Sequence, residues 1–290
     1  MISVVQLGTV DYATGHRLQQ KLVDLRKEGR IGDVLLLLEH TPVITLGRNA
    51  NTANLIASPE QLARRRVEVF ECDRGGDVTF HGPGQLVGYP IFDLRGYSSS
   101  QLPARSSQER PARKTLGAID YVRRLEEVLI RTCADFSIST KRVAGLTGAW
   151  TAGDGVGPGL QSGLDGLESR PHTSHADTEG KIAAIGVHIS RGVTSHGFAL
   201  NVNTDLNYFD LIVPCGITSK PVTSMKKELG DEVETAAVAE SIMRNFEIIF
   251  GEKCVPVASL DALLETSVGV PMKAPEELRA IRGEEDLFLA

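Results

Sequence analysis

The sequence predicts a single mixed α/β domain carrying two flexible insertions, and three observations predict it. Short apolar runs of strand length are interspersed with a few helical stripes. Two low-complexity stretches interrupt this pattern without a change of character on either side, so they need not divide the chain in two. The chain has 290 residues and is 41% hydrophobic, enough for a substantial core and for one large domain or two small ones. The expected catalytic unit covers residues 1–255, with insertions at about 97–114 and 151–178, and residues 256–290 form a C-terminal extension.

Leu18, Leu22 and Leu25 fall at helical spacing, and Gly29 follows as a stop. Residues 34–39 and 43–46 read as strands, the first apolar enough to be buried on both faces. A strand over 67–71 runs into Arg74-Gly75-Gly76-Asp77, and 86–94 reads as the next strand. Residues 97–114 are rich in Ser, Pro, Gln and Arg, the composition of a solvated insertion. An amphipathic helix follows, with Ile119, Val122, Leu125, Leu129, Ile130, Cys133 and Phe136 on one face. Residues 151–178 are glycine-rich and have no period, which predicts a flexible loop. No strand-turn-helix frame surrounds them, so they are not a dinucleotide fingerprint. Strands are expected over 182–190 and 198–202. Val238, Ile242, Phe246 and Ile249 mark a last helix, closed by Gly251.

Composition excludes several classes. With 31 basic and 37 acidic residues the net charge is -6, unlike the footprint of a general nucleic-acid binder. No apolar run approaches the ~20 residues of a membrane span. MISVVQLGTVDY has neither the form of a secretory signal nor the Arg- and Ser-rich look of a transit peptide. Cys72, Cys133, Cys215 and Cys254 are far apart and form no CxxC pair, which predicts free thiols in a reducing compartment.

Two segments carry chemistry. The first is RGGDVTFHGPGQLVGYP, residues 74–90. Its glycines let a ligand approach the backbone, and its N–H groups suit an oxyanion, with Arg74, Thr79 and His81 interleaved. A glycine-rich hairpin with ordinary turn needs would look much the same. The second is KIAAIGVHISRGVTSHGFALNVNTDLNYFDLIVPCGI, residues 181–217. Lys181 stands at the mouth of an apolar strand, and Cys215 is bracketed by Pro214 and Gly216 on a turn. A thiolate needs a neighbouring base or cation, which Lys181, His81 or His196 would supply. An ordinary cysteine is more often packed in a core, and an ordinary lysine more often a solvated charge. Cys133 on its helical stripe fits the packed reading. A zinc site from His81, His196 and Cys215 matches no metal spacing.

RGGDVTFHGPGQLVGYPIFDL and KIAAIGVHISRGVTSHGFALNV…IVPCGI resemble the octanoyl-acyl carrier protein:protein octanoyltransferases of lipoate biosynthesis. LLLLEHTPVITLGR (35–48) and LTGAW (146–150) resemble the same family, over most of the chain up to Gly251. The resemblance implies a biotin/lipoate protein ligase-like fold, a mixed sheet flanked by helices. It implies that octanoyl passes from acyl carrier protein to Cys215 as a thioester and then to a lysine of a lipoyl domain, with Lys181 moving the protons. It implies substrate-binding segments at Arg74, Gly75, Gly76, Asp77, Val78, Thr79, Phe80 and His81, at Ala184, Ile185 and Gly186, and at Gly197, Phe198 and Ala199. It implies no cofactor, the acyl group arriving on phosphopantetheine without ATP or metal. The implied partners are octanoyl-acyl carrier protein and lipoyl-domain proteins (2-oxoacid dehydrogenase E2 subunits and the glycine cleavage H protein), with no nucleic acid or membrane.

Two positions depart from the family pattern. Phe80 stands where tyrosine is common, and His188 where arginine is frequent. The insertions and tail suggest a eukaryotic relative acting in mitochondria, and otherwise a cytoplasmic protein. The rival readings are an ATP-dependent lipoate-protein ligase of the same fold, a transferase that draws on another lipoylated protein, and a non-catalytic module that docks lipoyl domains.

Overall fold

The first strand, β1 (Ile2–Val10), leads through Asp11 into helix α1 (Tyr12–Lys27), and the Asp11 carboxylate accepts the Thr14 N–H as an N-cap. Gly29, at φ 71, ends this helix where expected, and the Arg30 N–H closes back onto the Leu25 carbonyl. Next come β2 (Asp33–His40), β3 (Val43–Leu46), α2 (Pro59–Arg65), β4 (Glu68–Glu71), β5 (Val78–His81) and β6 (Gln85–Ile91). They are followed by α3 (Ala118–Asp135), β7 (Thr140–Val143), β8 (Leu146–Thr151), β9 (Lys181–Ser190) and β10 (Val193–Asn201). Then come α4 (Met225–Leu229), α5 (Thr235–Phe250) and β11 (Cys254–Pro256). This computed structural model describes residues 1–97, 115–152, 179–216, 220–260 and 262–263. The expected flexible insertions, apart from their edges, and the tail beyond Leu263 lie outside the described residues.

Eight strands form one mixed sheet in the order β11-β1-β2-β6-β10-β9-β8-β7, with β1 parallel to both of its neighbours and the other pairs antiparallel. β2, DVLLLLEH, is its spine and is buried on both faces as its composition predicted. Period-2 alternation sends Leu35 and Leu37 to the α3 and α5 side, where they meet Leu125, Leu129, Ile242 and Phe246. The same alternation sends Val34, Leu36 and Leu38 to Leu18, Leu22 and Leu25 of α1. A second sheet, β4-β3-β5, covers its own cluster with Leu62, Leu211 and Ile212. Among the described residues no helix is long and apolar enough to cross a membrane.

The mixed sheet flanked by helices matches the expected fold class. The three long helices stand where the apolar stripes placed them, because each stripe faces a sheet, except that Ile119, expected on the α3 stripe, is exposed in the first turn. β10 begins five residues earlier than expected: Thr194 and His196 are buried polar residues, so this end of the strand lacks an apolar signature.

Candidate active site

β5 is short, and its alternation divides the glycine segment into two faces. Thr79 and His81 look into a cavity of about 470 Å³, and Val78 and Phe80 point the other way. Phe80 stacks on Tyr208 at 4.6 Å and meets Phe209 edge-on. Val78 and Phe80, expected among the substrate-binding residues, are therefore corrected to packing residues of the small sheet. The other expected segments converge on the cavity. Arg74, Gly75, Gly76, Asp77, Thr79 and His81 line one wall, and Ala184, Ile185, Gly186, Gly197, Phe198 and Ala199 another.

Arg74 is an internal tie. Its guanidinium donates to the Thr45 carbonyl at 2.7 Å, to the Thr45 hydroxyl at 3.0 Å and to the Asp77 carbonyl at 2.6 Å. These bonds curl the loop around one side chain and force Gly76 to φ 95, a conformation a β-carbon would strain. The Asp77 carboxylate accepts the N–H groups of Asn51 and Val78 at 2.9 and 2.8 Å and the Asn54 amide. Asn54 in turn accepts the Val213 N–H at 2.7 Å, so Asp77 braces the turn that carries Cys215.

Lys181 opens β9 opposite Trp150 of β8, and its backbone is held on both sides. Its N–H donates to Pro221 at 2.8 Å, and its carbonyl accepts from Thr223 at 3.0 Å. Its ammonium lies 5.2 Å from the centre of the Trp150 ring, a cation–π distance. A β-carbon at Gly148, which sits at φ 121, would fall 3.1 Å from Lys181 Cε and 2.3 Å from the Ala183 carbonyl. The lysine therefore crosses β8 where only glycine fits. Lys181 lines the main cavity and also a smaller adjoining recess with Gln85, Asn201, Phe209 and Pro214. Cys215 follows Pro214 in the 3-10 turn Pro214–Gly216, and its side chain lies outside the described residues.

His81 is fully buried in a chain of polar groups. Its Nδ1 donates to Gln85 Oε1 at 2.8 Å, Gln85 Nε2 donates to Asn201 Oδ1 at 2.8 Å, and Asn201 Nδ2 donates to the Thr223 carbonyl at 2.9 Å. Burial pushes the His81 pKa down to about 3, so at neutral pH the ring carries no charge to hold a thiolate. His196 points its Nε2 at the Asp73 carboxylate, 2.7 Å away, and burial lowers its pKa. The remaining cysteines are free thiols; burial pushes Cys133 and Cys254 up to about 12, the opposite of what a nucleophile needs.

Sequence reasoning missed Tyr12, Asp73, Tyr89 and Trp150, which border the cavity or hold its walls. Asp73 adjoins Arg74, and Tyr12 opens a predicted helix, but the contacts that matter are long-range and leave no local pattern.

Comparison with known proteins places this architecture. An octanoyltransferase of Koribacter versatilis is 54% identical over the whole of both chains. An octanoyltransferase of Acidobacterium capsulatum is 50% identical over 91% of this chain and 96% of that one. Both are bacterial, and the first is matched along its full length, so the expectation that the insertions mark a eukaryotic, mitochondrial protein finds no support in them. A bipartite lipoate protein ligase from Thermoplasma acidophilum superposes with TM-score 0.57 at 14% identity, covering 95% of this chain and 99% of that one. A lipoate-protein ligase A bound with ATP gives TM-score 0.59 at 13% identity, covering 92% and 94%. At such identities these two likenesses speak to the fold. The lipoyl protein ligase A/B catalytic domain pattern matches residues 11–247, most of the described fold and the whole cavity, and the chain belongs to that family.

Proposed function

We propose that this enzyme transfers an octanoyl group from octanoyl-acyl carrier protein to a lysine of lipoyl domains through a thioester on Cys215. Octanoyltransferase is the name of its relatives, including the one 54% identical over the full chain, and the matching family is that of the lipoyl protein ligase A/B catalytic domain. The observation that carries the choice of residues is the shared recess. Lys181 and Pro214, the residue before Cys215, line one small hollow that adjoins the glycine-loop cavity.

In the first half-reaction the Lys181 amine takes the Cys215 proton, and the thiolate attacks the thioester carbonyl. The carbon–sulfur bond to phosphopantetheine breaks, and the departing thiol receives the proton from Lys181. In the second, the acceptor lysine amine attacks the Cys215 thioester, an amide forms, and its surplus proton passes through Lys181 back to the cysteine sulfur. The acyl group arrives already activated, so the reaction needs neither ATP nor a metal. The Gly75 N–H is spent on the Val187 carbonyl at 3.1 Å, which leaves the backbone N–H groups of Gly76 and Asp77 to stabilise the tetrahedral oxyanion. A neutral, buried His81 and a His196 engaged with Asp73 support lysine over histidine as the partner of the thiol.

The test is intact-mass spectrometry after mixing the protein with octanoyl-acyl carrier protein without ATP. An octanoyl adduct lost on hydroxylamine treatment and absent in Cys215→Ala is the expected outcome. Octanoylation of a lipoyl domain only from free octanoate and ATP would place the protein among the ligases instead.

A further inference from the structure

A second cavity, of about 520 Å³, lies between α1 and the strands β9 and β10. On its wall three histidines surround one carboxylate. His196 Nε2 is 2.7 Å from Asp73 Oδ1, His188 Nδ1 is 2.7 Å from Asp73 Oδ2, and His16 Nε2 is 3.8 Å from Asp73 Oδ1. The ligand atoms of His16, Asp73 and His196 all fall within 4.8 Å of one another.

We propose that His16, Asp73 and His196, with His188 completing the set, form a binding site for a divalent cation of the zinc type. Three imidazoles and one carboxylate are a donor set that zinc favours, at ~2.0–2.2 Å per bond in a tetrahedron. Such bonds put ligand atoms ~3.3–3.5 Å apart by tetrahedral geometry. The two separations from Asp73 Oδ1 straddle that value and the three ligand atoms lie within 4.8 Å of one another, so shifts on the order of 1 Å gather His16, Asp73 and His196 around an ion. His188, now on Asp73 Oδ2, must leave that oxygen to join them.

Two further observations mark the site as built. His196 is held at φ 55, in the left-handed region, although only 3% of it is exposed. Among the described residues its buried Nδ1 has no hydrogen-bond partner, so the ring is held through its Nε2 edge alone. Position 188 adds a third point. An arginine there would pair with Asp73 as a plain ion pair, whereas His188 brings a lone pair that a metal accepts. Asp73 is half-exposed on the cavity side, which leaves the ion a path from solvent. Arg17, Lys21 and Lys27 on the rim oppose a dication, so the affinity is expected to be weaker than that of closed structural zinc sites.

Each ligand adjoins a wall of the reaction cavity. Asp73 precedes Arg74, His188 follows Val187, His196 precedes Gly197, and His16 lies one helical turn after Tyr12. The ion thus fastens α1, the glycine loop and two strands together, and it does so through His196, which lines both cavities. The inference is independent of the acyl-transfer reading.

The test uses the full chain, stripped with chelator and kept reduced, titrated with Zn²⁺ alone by calorimetry, with X-ray absorption to read the ligands. The expected result is one equivalent bound through nitrogen and oxygen only, the same in Cys215→Ala, with a raised Tm. His16→Ala and His188→Ala, both at partly exposed positions, should each weaken binding at least ten-fold while melting normally without zinc. Absence of binding, sulfur in the coordination shell, or unchanged affinity in both variants would overturn the site.

Discussion

The ammonium of Lys181 stands 5.2 Å from the centre of the Trp150 ring, and the two residues are direct partners across β8 and β9. Trp150 is fully buried and its Nε1 has no hydrogen-bond partner among the described residues, so its contribution there is packing and the π face. Trp150→Ala should therefore cost about 3–5 kcal/mol of stability and lower the acyl-transfer kcat. Trp150→Phe breaks no hydrogen bond and should retain most of both. Denaturant melts and single-turnover acylation separate the two effects; equal activity loss in both variants at equal folding would count against a role for the ring in placing Lys181.

Gly148→Ala tests the crossing point of the lysine. The added methyl meets the Ala183 carbonyl at 2.3 Å and Lys181 Cε at 3.1 Å, on a backbone at φ 121. A destabilisation of about 1–3 kcal/mol is expected, together with a fall in transfer rate larger than any change in KM. A variant as active and stable as the parent would show that the strands separate freely there.

Asp77 is predicted to act on the cysteine turn and not on substrate. Asp77→Ala leaves three donors unsatisfied, from Asn51, Val78 and Asn54, at about 1–3 kcal/mol in total stability. Both half-reactions should slow together, because the brace serves Cys215 in each. Slowing of acylation alone, read by rapid-quench mass spectrometry, would point to donor binding instead.

Phe80→Tyr restores the residue common in the family pattern, on a ring that faces away from the cavity. The Phe80 Cζ lies 2.5 Å from where a β-carbon on Gly82 would sit, so a hydroxyl there has little room. Stability should fall by about 1–3 kcal/mol while kcat and KM stay within two-fold of the parent. A marked gain in activity would place the ring in the catalytic cavity after all.

Acid should destabilise the fold through two buried imidazoles. Burial holds His40 near a pKa of about 4 and His81 near about 3, against an ordinary 6.5. The unfolded chain takes up protons below pH 6.5 that the native state refuses. Stability is therefore full above that pH, falls as pH drops, and has lost the His40 share by about 4 and the His81 share by about 3. The slope approaches ~1.4 kcal/mol per pH unit for each residue. Urea midpoints between pH 7 and 5 check it; a flat profile would mean that the rings protonate in place.

How much of this was legible depends on the range of the interaction. The stripes of α1, α3 and α5 and the run of β2 announce themselves because burial there is periodic along the chain. Lys181, Thr79 and His81 were legible as candidates from glycine and turn chemistry. The outward direction of Val78 and Phe80 was available from strand alternation in VTFH, which the loop reading of that segment obscured. The meeting of His16 with Asp73, of Trp150 with Lys181 and of Asp77 with Asn54 depends on strand register and on residues far apart in sequence. No local pattern encodes those contacts.

The turn bearing Cys215 is held by two bonds on either side of the thiol: the Val213 N–H donates to the Asn54 carbonyl at 2.7 Å, and the Gly216 N–H closes back onto the Val213 carbonyl at 3.1 Å. A turn closed on itself this near the thiol has a short reach. On the proposed chemistry, the sulfur cannot travel between a donor and an acceptor seated side by side. The two protein partners must then occupy one berth in turn. Initial-rate plots at several acceptor concentrations should accordingly give parallel lines, and an excess of either partner should inhibit the other competitively.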